Sequence, residues 1–584
     1  MHLRTKLKIV PLFIGTFVIA ANLSFAQQPS NISPDLQGLD PLTPVNVIVQ
    51  FNSSPSLVTL ETIPLLGGVV KGTLSLVNGV LCSLPPALLN VVAALPGVVY
   101  ISPDRLNMPL LDNSAGAVNA STAWQAGFTG SGIGVAVIDS GISNHSDLDA
   151  STGKFRVVYS QDFTGSGSTN DQYGHGEHVA GIVAGDAASS NCSNCTRQFR
   201  GIAPGASLIN LRVLDKNGSG TDSEVISAIA AAIALKAKYN IRVINLSLGR
   251  PIFESYQFDP LCRAVEAAWH AGIVVVVAAG NEGRDDYQDT NGYGTITAPG
   301  NDPYVITVGA MKAMGTPQRT DDLIASYSSK GPTAIDHVVK PDLVAPGNLV
   351  VSLLANGGST TLAQANPQND VPLTYYENTT STALSTQYFT LNGTSMATPV
   401  VSGAVADLLQ AQPKLTPDQV KARLMLTAYK TFPLSSTATE PTTGETYTSY
   451  YDVFTVGAGY LDLSAALAST YVAPGLWLSP YATYDPTAGA VYLVNNPASI
   501  LGNTSLVPDR SVWGNQSVWG NQAVWGNQSV WGNQSVWGTR SVWGTQSVWG
   551  TRSVWGTSSV SSERSVWGTS AATAAEATMI NGEQ

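Results

Sequence analysis

Short, uniformly apolar runs alternate with segments of helical spacing through the middle of the chain. Residues 133–138 are apolar except at Gly134, and residues 273–279 read IVVVVAA. Runs this short and this apolar indicate strands that are buried on both faces of a parallel sheet. Helical segments between such strands are what crossover connections require. The pattern therefore predicts an α/β domain with a mostly parallel sheet, over residues 113–470.

Helix start signals support this alternation. The sequence TDSE at 221–224 is a capping box that predicts a helix running to about Tyr239. Asp259 and Pro260 open a second helix, which ends before Gly272.

Two polar residues follow the predicted strands. Asp139 comes directly after the strand at 133–138, and Asn281 follows the strand at 273–279 after Gly280. Sites in open α/β sheets collect at the carboxyl ends of the strands. We therefore expect a functional site at this edge, with an ordinary turn as the alternative role for Asn281.

The flanking segments differ in composition. Residues 27–112 contain two β-rich runs and an apolar helical segment behind two prolines, which predicts a small α/β domain. Residues 471–510 contain Pro and Tyr and form a spacer. Residues 511–570 repeat a hexapeptide close to SVWGNQ, and a small, polar tail follows at 571–584.

The hexapeptide repeats allow several interpretations. In an extended chain an even period places Val, Gly and Gln on one face and Ser, Trp and Asn on the other. A small β-solenoid is one interpretation, and a disordered low-complexity segment is another. Regularly spaced exposed tryptophans would also suit association with the cell surface, a glycan or a second copy. The sequence leaves these alternatives open.

Residues 1–26 have the composition of a signal peptide. Three basic residues precede an apolar run over residues 9–23, and small residues at Ser24 and Ala26 suit cleavage after Ala26. An uncleaved anchor is the alternative, but the run is shorter than the ~20 residues that a membrane span needs. No later segment is long and apolar enough to cross a bilayer. We therefore expect a secreted, extracellular protein.

The amino-acid composition narrows the classes of molecule that the protein could bind. Of 584 residues only 12% are charged, and the net charge is −11. Without a dense basic cluster after the N-terminus, this balance argues against nucleic acid or an anionic membrane as a partner. Cys192 and Cys195 stand in a loop-like sequence where zinc would lack two further ligands, so a local disulfide is the preferred interpretation.

Three short segments carry an acid, an imidazole and a hydroxyl: Asp139 in VIDSG, His175 in HGEHVAG and Ser395 in GTSMATP. A serine hydroxyl becomes a nucleophile when a base lies within hydrogen-bond reach and an acid orients that base. Ser395 precedes an apolar helical stretch, and a helix N-terminus favours a developing anion. Pro399 suits the first turn of that helix. A plain N-cap is the alternative role of Ser395.

His175 and His178 lie three residues apart, on one helical face, with Glu177 between them. A metal site is the alternative to catalysis, but the sequence His-Glu-x-x-His is absent. We assign the base to His175, which begins the helix, and expect His178 to be packed.

These segments, with GIAPGA at 201–206, INLSLG at 244–249 and AAGNEG at 278–283, resemble those of subtilisin-like serine proteases. The order Asp, His, Ser along the chain is also that of subtilisin. The resemblance covers about residues 115–470 and implies a doubly wound, mostly parallel sheet. It implies a serine endopeptidase that hydrolyses proteins through an acyl-enzyme, with Asp139, His175 and Ser395 as its catalytic residues.

The resemblance also implies how substrate is held. The Asn281 side-chain amide would donate to the oxyanion together with the Ser395 N–H. Other segments would pair with an extended polypeptide backbone, although turn and edge structure is their alternative role. These residues are Gly218, Ser219, Gly220, Ser247, Leu248, Gly249 and Gly280.

Residues 27–112 resemble in pattern the propeptide of these proteases, an intramolecular chaperone and inhibitor that self-cleavage removes. A permanently attached accessory domain is the alternative. For the whole chain, the alternative function is a catalytically idle surface protein that uses a protease-like core as a scaffold. The intact set of catalytic residues argues against it.

Glu177 and Asp147 lead to two further expectations, one about the pKa of the base and one about calcium. Glu177 stands where the family usually has threonine, and a buried carboxylate beside His175 would raise the pKa of that histidine. Asp147 resembles a calcium carboxylate of the family, although such sites need six or more oxygen ligands. The chemistry itself requires no cofactor, and structural calcium is the one ion that the resemblance suggests.

Overall fold

The computed structural model describes residues 31–33, 36, 40–74, 78–103, 110–111, 113–149, 155–285, 290–440, 444–485, 490–494 and 583. The chain divides into two compact units, Met1–Met108 and Pro109–Gln584. The division falls just before the boundary expected at residue 112. The expected signal at 1–26 and the repeats at 511–570 lie outside the described residues.

In its described residues the first unit is a four-stranded antiparallel sheet with two helices. Its elements are β1 Val45–Phe51, α1 Leu57–Leu65, β2 Val69–Leu74, β3 Gly79–Leu84, α2 Leu89–Ala93 and β4 Val98–Pro103. The strands are ordered β2-β3-β1-β4. Val47 and Val49 alternate with more exposed neighbours along β1 and pack with Ile101 in a core of this unit's own.

The second unit contains the remaining strands and helices. Its strands are β5 Leu110–Leu111, β6 Gly134–Asp139, β7 Val157–Asp162, β8 Arg197–Gln198, β9 Ser207–Arg212, β10 Ile241–Leu246, β11 Val274–Ala278, β12 Ile306–Lys312, β13 Leu323–Ile324, β14 Leu343–Asn348, β15 Val350–Leu353, β16 Asp370–Pro372, β17 Leu384–Leu391, β18 Ser435–Thr439, β19 Thr446–Tyr450, β20 Tyr481–Asp485 and β21 Ala490–Val494. Its helices are α3 Asn113–Ala117, α4 Ala120–Gln125, α5 His175–Ala184, α6 Asp222–Tyr239, α7 Pro260–His270, α8 Thr361–Ala365, α9 Thr394–Ala411, α10 Pro417–Thr427 and α11 Leu463–Ala468.

The main sheet of this unit is mostly parallel. Its strands are ordered β13-β12-β11-β10-β6-β9-β7, with β14 also paired to β12. Only the β12–β13 pair is antiparallel among these described strands. Every residue of β6, β11, β12 and β14 is buried, because helices cover both faces of the sheet. The predicted α/β fold with a doubly wound, mostly parallel sheet is confirmed.

Two helices bring functional segments to one edge of the sheet. Helices α5 and α9 pack against each other, and each contacts β6. Both begin near the carboxyl ends of the central strands, so their first residues face the edge where sites in α/β sheets form.

The packed chain extends past residue 470, into the segment expected to be a spacer. Trp477 is fully buried and packs with Ala422, Met425 and Ala473. The hydroxyl of Ser479 donates to Asp342 Oδ1 at 2.5 Å. Because an indole of this size stabilises the fold only when it is enclosed, residues 473–479 belong to the domain.

No helix in the described part of the chain combines the length and apolar content that crossing a membrane requires.

Candidate active site

The acid and the base expected from the sequence meet at the carboxyl end of β6. Asp139 is the last residue of that strand, and His175 is the first residue of α5. Asp139 Oδ1 lies 2.7 Å from His175 Nδ1, and both side chains are buried. The Ser140 N–H donates to the same carboxylate oxygen at 2.7 Å. The carboxylate therefore fixes the orientation of the imidazole ring.

Two carboxylates act on the pKa of His175. Burial alone would lower this pKa, but the charge and hydrogen bond of Asp139, together with the charge of Asp171, raise it above its usual value. Glu177 is not among the groups that raise the pKa of His175, although this effect was expected from the sequence. Burial raises the pKa of Glu177 well above its usual value, which favours the neutral carboxyl, and its Oε2 accepts from the Ser143 N–H at 2.5 Å. Burial also raises the pKa of Asp171, but the hydrogen bonds that it accepts from the Glu177 and Gly174 N–H groups and the Ser140 hydroxyl favour its charged form. Asp171 is thus the carboxylate that acts on His175 besides Asp139.

Asp171 also joins the segments that carry the acid and the base. Its Oδ1 accepts from the Ser140 hydroxyl at 2.9 Å and from the Gly174 N–H at 2.7 Å. Its Oδ2 accepts from the Glu177 N–H at 2.8 Å, inside the first turn of α5. The Ser140 hydroxyl in turn accepts from the Gly176 N–H at 2.8 Å. Asp171 was missed from the sequence, although an aspartate shortly before a helix start is itself a capping signal.

Ser395 lies in the first turn of α9 and exchanges two hydrogen bonds with Ser247. The Ser395 hydroxyl donates to the Ser247 carbonyl at 3.2 Å, and the Ser247 hydroxyl donates to the Ser395 carbonyl at 2.7 Å. Both residues are fully buried. Ser247 follows β10, so these bonds hold the start of α9 against the carboxyl end of the sheet.

Pro399 explains why the second of these bonds exists. The helix begins at Thr394, so Pro399 lies inside α9 and not in its first turn as expected from the sequence. A proline has no N–H to donate to the carbonyl four residues earlier, which is that of Ser395. The Ser247 hydroxyl supplies the missing donor.

Asn281 contacts the first residue of α9, Thr394, which orients its side-chain amide. Its Oδ1 accepts from the Thr394 N–H at 2.9 Å and from the Thr394 hydroxyl at 3.1 Å. These two bonds settle the orientation of the amide, so Nδ2, its donor group, lies on the other side. Gly393 has φ of +133°, and a Cβ there would lie 3.2 Å from Asn281 Nδ2. Glycine before Thr394 thus allows the close approach of Asn281 to the start of α9.

The segments expected to hold a substrate backbone follow β9, β10 and β11 of the main sheet, in which β6 lies between β9 and β10. Gly218, Ser219 and Gly220 come after β9 and directly before the Thr221 capping box of α6. The other residues follow β10 and β11; they are Ser247, Leu248, Gly249 and Gly280. Gly218 has φ of +74°, and a Cβ there would come within 2.6 Å of the Tyr173 ring. The chain therefore brings these segments to the sheet edge that carries Asp139 and Asn281.

The donors around Asp147 do not fit a calcium ion. Its carboxylate accepts from the Ser189 N–H and from the Tyr388 hydroxyl, both at 2.7 Å. Arg156 Nη2 donates to the Asp147 carbonyl at 2.7 Å. Calcium requires a shell of oxygen acceptors, whereas an N–H and an O–H group donate to this carboxylate and a guanidinium donates to the carbonyl of the same residue. The predicted calcium role of Asp147 is thus not supported by its surroundings.

The other residues considered as metal ligands, which are Cys192, Cys195 and His178, make other contacts in the structure. Cys192 and Cys195 form a disulfide in the structure. Together with Glu377 they form the single group of three candidate metal ligands in the described residues, and a disulfide sulfur is not a thiolate ligand. His178 is buried with Nε2 3.1 Å from the carbonyls of Val350 and Phe389, and burial lowers its pKa to about 3. It is a packed, neutral histidine.

Comparison with known proteins shows which family and relatives the chain resembles. The sequence pattern of the subtilase family matches residues 130–458. Serine protease AprX of Bacillus subtilis (strain 168) is 38% identical over 351 residues, which cover 58% of this chain and 71% of the relative. Subtilisin E of the same strain is 32% identical over 421 residues, covering 71% and 92%. Subtilisin DY of Bacillus licheniformis is 36% identical over 313 residues, covering 53% and 89%.

Proposed function

Because the chain belongs to the subtilase family, and is a serine-type endopeptidase, we propose that Asp139, His175 and Ser395 catalyse its reaction. The observation that carries the proposal is the buried contact of 2.7 Å between Asp139 Oδ1 and His175 Nδ1, at the edge where α9 presents Ser395. A carboxylate in this position holds the imidazole in the tautomer whose Nε2 accepts a proton.

In the proposed mechanism the Ser395 hydroxyl leaves the Ser247 carbonyl and transfers its proton to His175 Nε2 as its oxygen attacks the peptide carbonyl. Asp139 stabilises the resulting imidazolium. The Asn281 Nδ2 group and the Ser395 N–H donate to the oxygen on which negative charge develops. His175 then protonates the leaving amine, and water hydrolyses the acyl-enzyme by the same proton transfers in reverse.

We further propose that substrates bind as extended polypeptides along the residue 218–220 and 247–249 segments. Main-chain hydrogen bonds in strand addition bind a peptide with little regard to its sequence, which suits an enzyme that cleaves proteins. Both segments follow strands of the main sheet at the edge that carries Asp139, with β6 between the two strands, and this position supports the role.

We propose that the enzyme is secreted behind the signal at 1–26 and processes itself from a precursor. The unit within residues 27–112 has its own sheet and core, as a separable propeptide requires. Its function would be to assist folding and then to inhibit, so the propeptide would be the first partner of the enzyme. The repeats would add contacts with the cell surface or with a second copy.

Labelling with a fluorophosphonate probe tests the catalytic assignment. The processed wild-type protein is expected to take up the probe, and Ser395→Ala is expected to take up none. Correctly processed wild-type protein that is not labelled would instead favour the idle scaffold.

Mass spectrometry of the secreted protein tests the precursor. The wild type should begin near residue 113, whereas Ser395→Ala should retain residues 27–112. Retention of this unit in both proteins would identify it as a permanent accessory domain.

A further inference from the structure

A second set of polar and charged side chains lies at the carboxyl edge of the sheet. Arg284 follows β11, Lys312 ends β12 and Asn348 ends β14, which are parallel strands, and Ser326 follows the antiparallel strand β13 beside β12. We call these four residues the carboxylate pocket. Glu583 lies inside it with 3% of its side chain exposed, although it is more than 230 positions away in the chain from each of the four.

The pocket neutralises the Glu583 carboxylate with two buried cations. Glu583 Oε1 lies 2.8 Å from Arg284 Nη2, and Oε2 forms an ion pair of 3.1 Å with Lys312 Nζ. The Ser326 N–H donates to Oε1 at 2.7 Å, and the Ser326 hydroxyl donates to the same oxygen. Only 8% and 5% of the Arg284 and Lys312 side chains are exposed. Cations this deeply buried destabilise a fold unless an anion faces them.

The pocket also binds the main chain of the residue that it holds. Asn348 Nδ2 donates to the Glu583 carbonyl at 2.8 Å, and the Glu583 N–H donates to Asn348 Oδ1 at 2.9 Å. A side-chain amide that pairs with both backbone groups of one residue recognises a peptide in the manner of a neighbouring strand. The pocket therefore selects a peptide residue with a carboxylate, and not merely an anion.

Contacts within the domain hold the pocket in shape. Arg284 Nε donates to the Ser326 hydroxyl oxygen at 2.6 Å, and Arg284 Nη1 pairs with Glu440 Oε2 at 2.7 Å. The guanidinium also lies 4.7 Å from the centre of the Tyr447 ring. Because these three contacts already hold the Arg284 side chain, it loses little conformational entropy when the carboxylate binds. This strengthens binding.

We propose that the carboxylate pocket is a docking site for a glutamate-containing segment of this same chain, and that Glu583 is its ligand. The repeats at 511–570 lie between β21 and Glu583 along the sequence. Docking of Glu583 therefore attaches the repeat region to the peptidase domain at both of its ends. In the competing arrangement, the pocket of one copy binds Glu583 of a second copy. Only that arrangement is weakened by dilution, so dilution distinguishes the two.

Hydrogen exchange at the Ser326 amide tests the proposal in the full chain, with Ser395→Ala added to prevent self-digestion. Because that N–H donates to Glu583, Glu583→Gln should speed its exchange at least about tenfold, since a hydrogen bond to a charged group protects an amide by that factor or more. Glu576→Gln makes the same change of charge earlier in the same tail and should leave the exchange unchanged. Lys312→Gln should act like Glu583→Gln, and the double variant should add little to either.

A synthetic peptide of the sequence TMINGEQ, residues 578–584, shows whether the variant is still folded. Added to Glu583→Gln, it should restore the protection of Ser326, whereas the same peptide with glutamine for glutamate should not. The proposal fails if Ser326 exchanges at the same rate in Glu583→Gln and its parent, or if both peptides restore protection equally. Protection that is lost when the parent protein is diluted would assign the pocket to a second copy and overturn docking within one chain.

Discussion

Ser247 and Ser395 are joined by two hydrogen bonds that run in opposite directions, hydroxyl to carbonyl in each case. The bond from Ser247 replaces the N–H that Pro399 cannot donate to the Ser395 carbonyl. The segment after β10 thus combines an observed contact with a proposed one. It stabilises the first turn of the helix that carries the nucleophile, and it lies where a substrate backbone is expected to bind.

Ser247→Ala is expected to destabilise the domain by about 1–3 kcal/mol, because it leaves the buried Ser395 carbonyl without a donor. Urea unfolding in a Ser395→Ala background measures the loss without self-digestion. Ser227→Ala is the matched control, because its hydroxyl is exposed on α6 and donates to the Ser223 carbonyl of the same helix; it should change stability by no more than about 0.5 kcal/mol. Equal stabilities of the two variants would refute the role of Ser247.

Trp477→Ala is expected to cost about 3–5 kcal/mol of stability, because it empties an enclosed site packed by α10. Leu476→Ala, next to it in the chain, is the control, since 37% of that leucine is exposed. Thermal unfolding of both proteins gives the comparison. If the two variants unfold at the same temperature, the segment after residue 470 is a spacer after all.

The sequence predicted the elements whose signals are local. The capping box at 221–224 and the Asp259 cap start α6 and α7 as expected, and the buried runs form β6 and β11. Each of these features depends on residues that are close together in the chain. Short-range rules of spacing and capping therefore sufficed to identify them.

The contacts that the sequence did not reveal join distant residues. Trp477 packs against α10 from beyond the expected end of the domain, and Glu583 pairs with Arg284 across 299 positions. The sequence also did not reveal the charge of Glu177, because burial of this carboxyl favours its neutral form. A spacing pattern reports which residue types are present but not how far each is removed from water, and burial decides whether a carboxyl is charged.

Asn281→Ala is expected to lower kcat with little change in KM, because its Nδ2 group would donate to charge that exists only in the transition state. The expected loss is about 10²–10³-fold, the range established for the oxyanion-hole asparagine of subtilisin itself. Steady-state hydrolysis of a chromogenic peptide measures both constants. A rise in KM with unchanged kcat would show that Asn281 binds the ground state and does not serve the oxyanion.

Asp171→Asn is expected to shift the acidic limb of the pH profile, in which kcat/KM is plotted against pH, to lower pH. The base works when His175 is neutral, so activity rises as the pH passes the pKa of His175, which Asp139 and Asp171 together raise. Removing the Asp171 charge lowers that pKa and extends activity toward acid. Glu177→Gln is the control: because burial favours a neutral Glu177, this change removes no charge and should leave the limb in place. A limb that moves in Glu177→Gln and stays fixed in Asp171→Asn would reverse the assignment and make Glu177 the second charge at the base.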